Sequence, residues 1–143
     1  HTPYMASASS QFPVGSTKFV KIDRPVYGAL MVMRNYNSET GQFLGSGHVT
    51  FVYGRNRYGD IVCLGGNQRD SIKMSSYKSS GISATFPLNG AWAQQRFYSF
   101  YIPATYIEYA NRQGELETVD ADEVNQGLLR IHNSRSTSNE NTR

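Results

Sequence analysis

Apolar positions in this chain fall in short runs separated by glycine, asparagine and serine, a spacing that predicts strands rather than long helices. The first run is Gly28-Ala-Leu-Met-Val-Met-Arg34, nearly continuous and introduced by Pro25. A strand of that kind has both faces covered. Residues 35–47 are rich in turn formers: Asn35, Asn37, Ser38, Gly41, Gly45, Ser46 and Gly47. Two strands follow, His48–Tyr53 and Ile61–Leu64, joined by the polar stretch Gly54–Asp60 as a β-hairpin, with Gly65-Gly66-Asn67-Gln68 ending the second. Ser71–Met74 alternates weakly, and Ile82–Phe86 and Arg96–Ile102 read as further strands, the latter aromatic. Thr105–Tyr109 fits either a strand or a short helix. Asp120-Ala-Asp-Glu123 has the spacing of a capping box, and Val124, Leu128, Leu129 and Ile131 follow at helical intervals. Ser134–Arg143 holds no apolar residue and predicts a disordered tail after a single domain spanning 1–133.

Alternation suggests how the hairpin pairs. With His48 opposite Asn67, Thr50 faces Gly65 and Val52 faces Cys63 on one side of the sheet. Val49, Phe51 and Tyr53 then join Val62 and Leu64 in an apolar face on the other. A one-residue slip would exchange the two sets. In this register an imidazole and a carboxamide are neighbours. An amide carbonyl accepts the Nδ1–H of a histidine and so fixes its tautomer and orientation, the base-plus-orienter half of a cysteine or serine triad. Gly45, Gly47, Gly65 and Gly66 flank the pair and let another element or a substrate backbone come close. The plainer alternative is a surface histidine at a strand start, with the glycines serving as turns.

Composition narrows the chemistry further. The 143 residues, 38% hydrophobic, suit one domain with one core. No apolar stretch approaches the ~20 residues of a spanning helix. The single cysteine excludes an intrachain disulfide and every multi-cysteine zinc site. His1, His48 and His132 are the only histidines, and His132, near the end of the last helix, complements its dipole. Asp60, Asp70, Asp120 and Asp122 lack calcium-loop spacing. The net charge of +3 is spread along the chain with no arginine-rich tract, so neither nucleic acid nor a membrane is an expected partner. Phe97-Tyr98-Ser99-Phe100-Tyr101 fits a stacking platform or, more simply, a half-buried strand. The opening His1-Thr2-Pro3, without a charged-then-apolar leader, reads as the middle of a longer sequence.

Three segments together carry a family resemblance: Pro25-Val-Tyr-Gly-Ala-Leu-Met-Val-Met33, Gly47-His-Val-Thr-Phe-Val-Tyr-Gly54 and Ile61-Val-Cys-Leu-Gly-Gly-Asn-Gln68. They resemble NlpC-type cell-wall cysteine peptidases, papain-like enzymes related to the CHAP amidases. The likeness covers about residues 25–87, Phe86-Pro87 resembling the family's closing segment. Within that group the chain is similar to amidase effectors injected into rival bacteria by type VI secretion, and to phage-associated lysins. The resemblance implies an α+β, papain-like fold with a central antiparallel sheet. It makes His48 the general base and Asn67 its orienting partner, with Gly47, Gly66 and Gln68 lining the substrate. Gln68 points away from Asn67's face and is the weaker orienter.

The family's nucleophile is a cysteine at the start of a helix preceding these strands, and no residue between His1 and Pro25 supplies it. Cys63 lies about 13 Å along its strand from Asn67, too far to share a proton with His48, and sits in Ile-Val-Cys-Leu, where it reads as a small buried hydrophobe. The expectation is therefore a C-terminal piece of a peptidase, its helical lobe missing or incomplete and its nucleophile on an N-terminal fragment elsewhere. The implied reaction is thiol acyl transfer on an amide of peptidoglycan stem peptides, which needs no metal or organic cofactor. The implied setting is secretion into the periplasm or wall of a target bacterium, with a cognate immunity protein in the producer. The rival reading is a non-catalytic module binding cell-wall peptide or glycan on the same sheet.

Overall fold

The computed structural model describes residues 11–66 and 72–129. Their strands are β1 (Phe19–Ile22), β2 (Leu30–Asn37), β3 (Phe43–Arg55), β4 (Ile61–Gly66), β5 (Ile72–Tyr77), β6 (Ile82–Leu88) and β7 (Ala91–Pro103). A 3-10 turn at Ala104–Tyr106 leads into a short helix, α1 (Ile107–Arg112), and a second helix, α2, covers 121–129. The strands form one antiparallel sheet in the order β1-β7-β2-β3-β4-β5, with β6 also pairing β7. β1 takes the Phe100–Pro103 end of β7 and β6 the Ala91–Arg96 end, so both share its outer edge. The mostly antiparallel sheet with few helices agrees with the α+β expectation at that level.

Strand positions follow the apolar runs, with two departures. β1 has no signal in the sequence pattern: four residues, Phe-Val-Lys-Ile, are too few for a periodicity to register. The turn-rich stretch 35–47 is mostly strand, because β2 continues to Asn37 and β3 begins at Phe43. Only 38–42 turns, held by the Asn37 Oδ1, which accepts from the Glu39 and Thr40 amides at 2.8 and 3.0 Å. The other turn formers make a bulge. Arg34 pairs with Gly47 and Tyr36 with Phe43, so β3 spends four steps where β2 spends two, and Gly45 takes φ +81° there.

The sheet is curled. A flat path from β5 across to β6 is five strand spacings, about 24 Å, whereas the link from Tyr77 to Ile82 reaches at most about 18 Å in five steps. The inner face carries the larger core: Met31, Met33, Val52, Ile61, Cys63, Phe100 and Ile102, with Ala110 of α1 above them. Leu30, Val32 and Tyr101 form a smaller cluster on the outer face, covered by Phe12 and Val14. The two expected sets of side chains differ in burial. Phe51, placed in an apolar face with Val49 and Tyr53, is 46% exposed, while the Thr50, Val52 and Cys63 side is sealed. Alternation identified the two sets, but α1 and the curl decide which is enclosed.

The C-terminal segment closes the structure. Arg55 N–H donates to the Glu117 carbonyl at 2.9 Å and Val119 N–H to the Arg55 carbonyl at 2.8 Å, adding a short parallel bridge to the end of β3. Arg24 donates to the Ala110 and Gln113 carbonyls at 2.8 and 2.6 Å, capping α1. The expected capping of α2 is present: Asp120 Oδ1 accepts from the Asp122 and Glu123 amides at 2.9 and 3.1 Å. On α2, Asn125 bonds both the N–H and the carbonyl of Met74, at 2.7 and 2.9 Å, blunting the free edge of β5. The expected tail at Ser134–Arg143 and His132 lie outside the described residues.

Candidate functional site

His48 reaches the inner face because it stands directly opposite Met33 in the β2–β3 ladder, and opposed residues point the same way. The bulge ends just before it, at the Arg34–Gly47 pair, so from His48 onward the ladder is regular through Phe51. Its ring is half-buried and meets the Tyr77 ring from β5 at 5.8 Å between centroids, tilted by 42°. This contact spans β4, which the concave curl makes possible. Burial pushes the imidazole below its ordinary pKa of 6.5, so it is neutral at pH 7 and able to take a proton. Among the described residues nothing hydrogen-bonds the ring.

The pairing expected between β3 and β4 appears where both strands are described: Phe51 opposite Leu64 and Val52 opposite Cys63. Thr50 follows the same pattern, its hydroxyl donating to the Leu64 carbonyl at 3.0 Å. Beyond Val52 the register shifts, with Gly54 opposite Val62, because Tyr53 is bulged out. Asn67 and Gln68, the expected orienter and substrate contact, lie outside the described residues. Gly66 closes β4 opposite Ile72 of β5.

Gly47 has a more specific reason for lacking a side chain than access for a substrate. A Cβ there would lie 2.1 Å from the Met33 carbonyl oxygen and 2.7 Å from Gln11 Nε2. That space belongs to the outer face, opposite His48, where Gln11 also accepts from the Arg34 guanidinium at 2.6 Å. The close approach that glycine permits is therefore made by the protein's own β2 backbone and by Gln11.

Cys63 is a core residue, as its apolar neighbours imply. It is fully buried, with Sγ 3.7 Å from Met31 Sδ and 3.9 Å from the Ile61 carbonyl oxygen. Burial pushes its thiol up to about 12, the Thr50 hydroxyl offsetting this slightly, so no thiolate exists there at neutral pH.

No family model, curated protein or solved structure matches this chain.

Two features of the inner face were not anticipated. Tyr77 carries no sequence signal, since its strand alternates weakly. Asn35 had one: it continues the 31, 33, 35 spacing of the inner-face methionines as a polar residue. Its Nδ2 donates to the Ser46 hydroxyl at 2.9 Å, while its Oδ1 is buried without a partner. Farther along the same concave side, an open cleft of about 690 Å³ is walled by Ile22, Val26, Phe97, Phe100, Ile107 and Ala110. His48 does not line it. Lys21, Asp23, Ser79 and Asn111 bring polar groups to the cleft, so it offers an apolar floor with a polar margin. Among the described residues no three of His, Cys, Asp and Glu come together in a way that would hold a metal.

Proposed function

We propose that this chain is the sheet portion of a papain-like, NlpC-type peptidoglycan amidase or endopeptidase, in which His48 is the general base for a thiol supplied from outside these 143 residues. The observation that carries the proposal is the state of His48: half-exposed on the concave face and kept neutral by burial. In this reading His48 takes the proton of the incoming thiol as sulfur bonds to the carbonyl carbon of a stem-peptide amide. The C–N bond then breaks and His48 gives that proton to the leaving amine. A water molecule, deprotonated by His48, cleaves the thioester, returning the thiol and releasing a carboxylic acid. The setting is a secreted antibacterial effector with an immunity protein as its natural partner.

The test is release of soluble stem peptides from purified peptidoglycan by the full-length protein and by its His48→Ala variant. Loss of a general base lowers the rate by about 10²–10⁴-fold. Undiminished release by His48→Ala excludes the mechanism. The inert Cys63 favours one alternative, a wall-binding module on the same sheet. Retention of both proteins on peptidoglycan without any release selects that alternative.

A further inference from the structure

We infer that Asn35 is a positioning residue for His48, its carboxamide oxygen serving as acceptor for a ring N–H of that imidazole. The functional meaning rests on the proposed role of His48; the contact itself does not.

Three observations converge on one spot of the inner face. Asn35 is only 8% exposed, and its Oδ1 is buried with no hydrogen-bond partner. An amide oxygen in that state has lost its hydrogen bond to water without replacement, so it is either a defect or an acceptor held for a donor. The second observation is the anchoring of the other half of the amide. Nδ2 donates to Ser46 Oγ at 2.9 Å, which fixes the plane of the carboxamide and turns the oxygen away from Ser46. The third is the place of His48 in the ladder. Asn35 is two residues from Met33 on β2, and Met33 lies directly opposite His48. Asn35 and His48 are thus diagonal neighbours on one face, at the edge of the bulge. Among the described residues His48 has a ring contact but no hydrogen bond.

The oxygen is shut off from bulk solvent, which favours a donor from a neighbouring side chain. A neutral imidazole always carries one N–H, so His48 supplies that donor. The other ring nitrogen is then left free to accept a proton. Cys63 of β4 and Tyr77 of β5, which share this face, are both pushed up by burial and stay uncharged at neutral pH.

The experiment follows the His48 ring by NMR across a pH titration, in the parent protein and in Asn35→Asp. A carboxylate at the acceptor position favours the imidazolium, so the His48 pKa rises by at least about one unit. A folded Asn35→Asp protein in which His48 titrates as in the parent overturns the inference. Should that variant not fold, the parent decides: the ring N–H of His48 is expected as a slowly exchanging proton with a nuclear Overhauser contact to the Asn35 side chain. A rapidly exchanging ring N–H with no such contact overturns it equally. Neither readout involves substrate. Coupling without any His48-dependent hydrolysis would remove only the proposed function, and His48-dependent hydrolysis without coupling would remove only the role of Asn35.

Discussion

Cys63 is the one sulfur nucleophile this chain could offer, and its reactivity can be worked out in advance. The side chain is 0% exposed, packed against Met31 Sδ at 3.7 Å. Burial moves its thiol from 9.0 to about 12. At about pH 8 a thiol with the ordinary value is ionised in about one molecule in ten, and one near 12 in about one in ten thousand. The thiolate is the reacting species, so ionisation alone slows attack on a disulfide by about a thousandfold. Full burial adds a second barrier, since the reagent reaches the sulfur only after the core opens. The assay is release of the coloured thiol from an aromatic disulfide reagent, followed in buffer and in denaturant. Prompt stoichiometric release is expected in denaturant, and release at least about a thousandfold slower from the native protein. A native rate within about tenfold of the denatured one would refute both the sealed position and the assignment of catalytic sulfur to another segment.

Two further outcomes follow from the same geometry. Because the folded pKa of His48 lies below 6.5, the unfolded chain binds its proton first as pH falls. Stability should therefore decline from pH 6.5 down to the folded pKa, by at most about 1.4 kcal/mol per pH unit, and then level off. Urea unfolding at several pH values, parent against His48→Gln, isolates this term; identical pH profiles would contradict it. At Gly54 a Cβ would lie 2.8 Å from Val119 Cγ2 and 2.9 Å from the Glu117 carbonyl oxygen. Gly54→Ala should cost about 1–3 kcal/mol in denaturant unfolding by displacing the segment bridged to Arg55. A cost below about 0.5 kcal/mol would mean that segment is not docked as described.

What could be read in the linear chain was the local physics. The unbroken Ala29–Met33 run announced a strand covered on both sides, and it is the spine of the sheet, paired by β3 and β7. Alternation in His48–Tyr53 against Ile61–Leu64 yielded the Val52–Cys63 register, because a slip of one residue exchanges every side chain between faces. The spacing Asp120 to Glu123 announced a helix start whose hydrogen bonds are local. His48 stood out as a lone imidazole among glycines. Its proposed partner Asn67 could be named from spacing, but lies outside the described residues.

Only the folded chain decided which face is inside. That choice depends on the curl of the sheet, on α1, and on the segment at residues 116–119, all contributed from far along the sequence. Periodicity says which residues share a side and nothing about what will cover it. The same holds for Asn35: its place in the strand was visible, whereas its burial and its unpaired oxygen arise from packing between strands and from the bulge that brings Ser46 against it. Hydrogen bonds within a turn or a cap join neighbours a few residues apart and leave a local signature. The environment of His48 is built by Met33 and Tyr77 on two other stretches of chain, and such non-local contacts leave none.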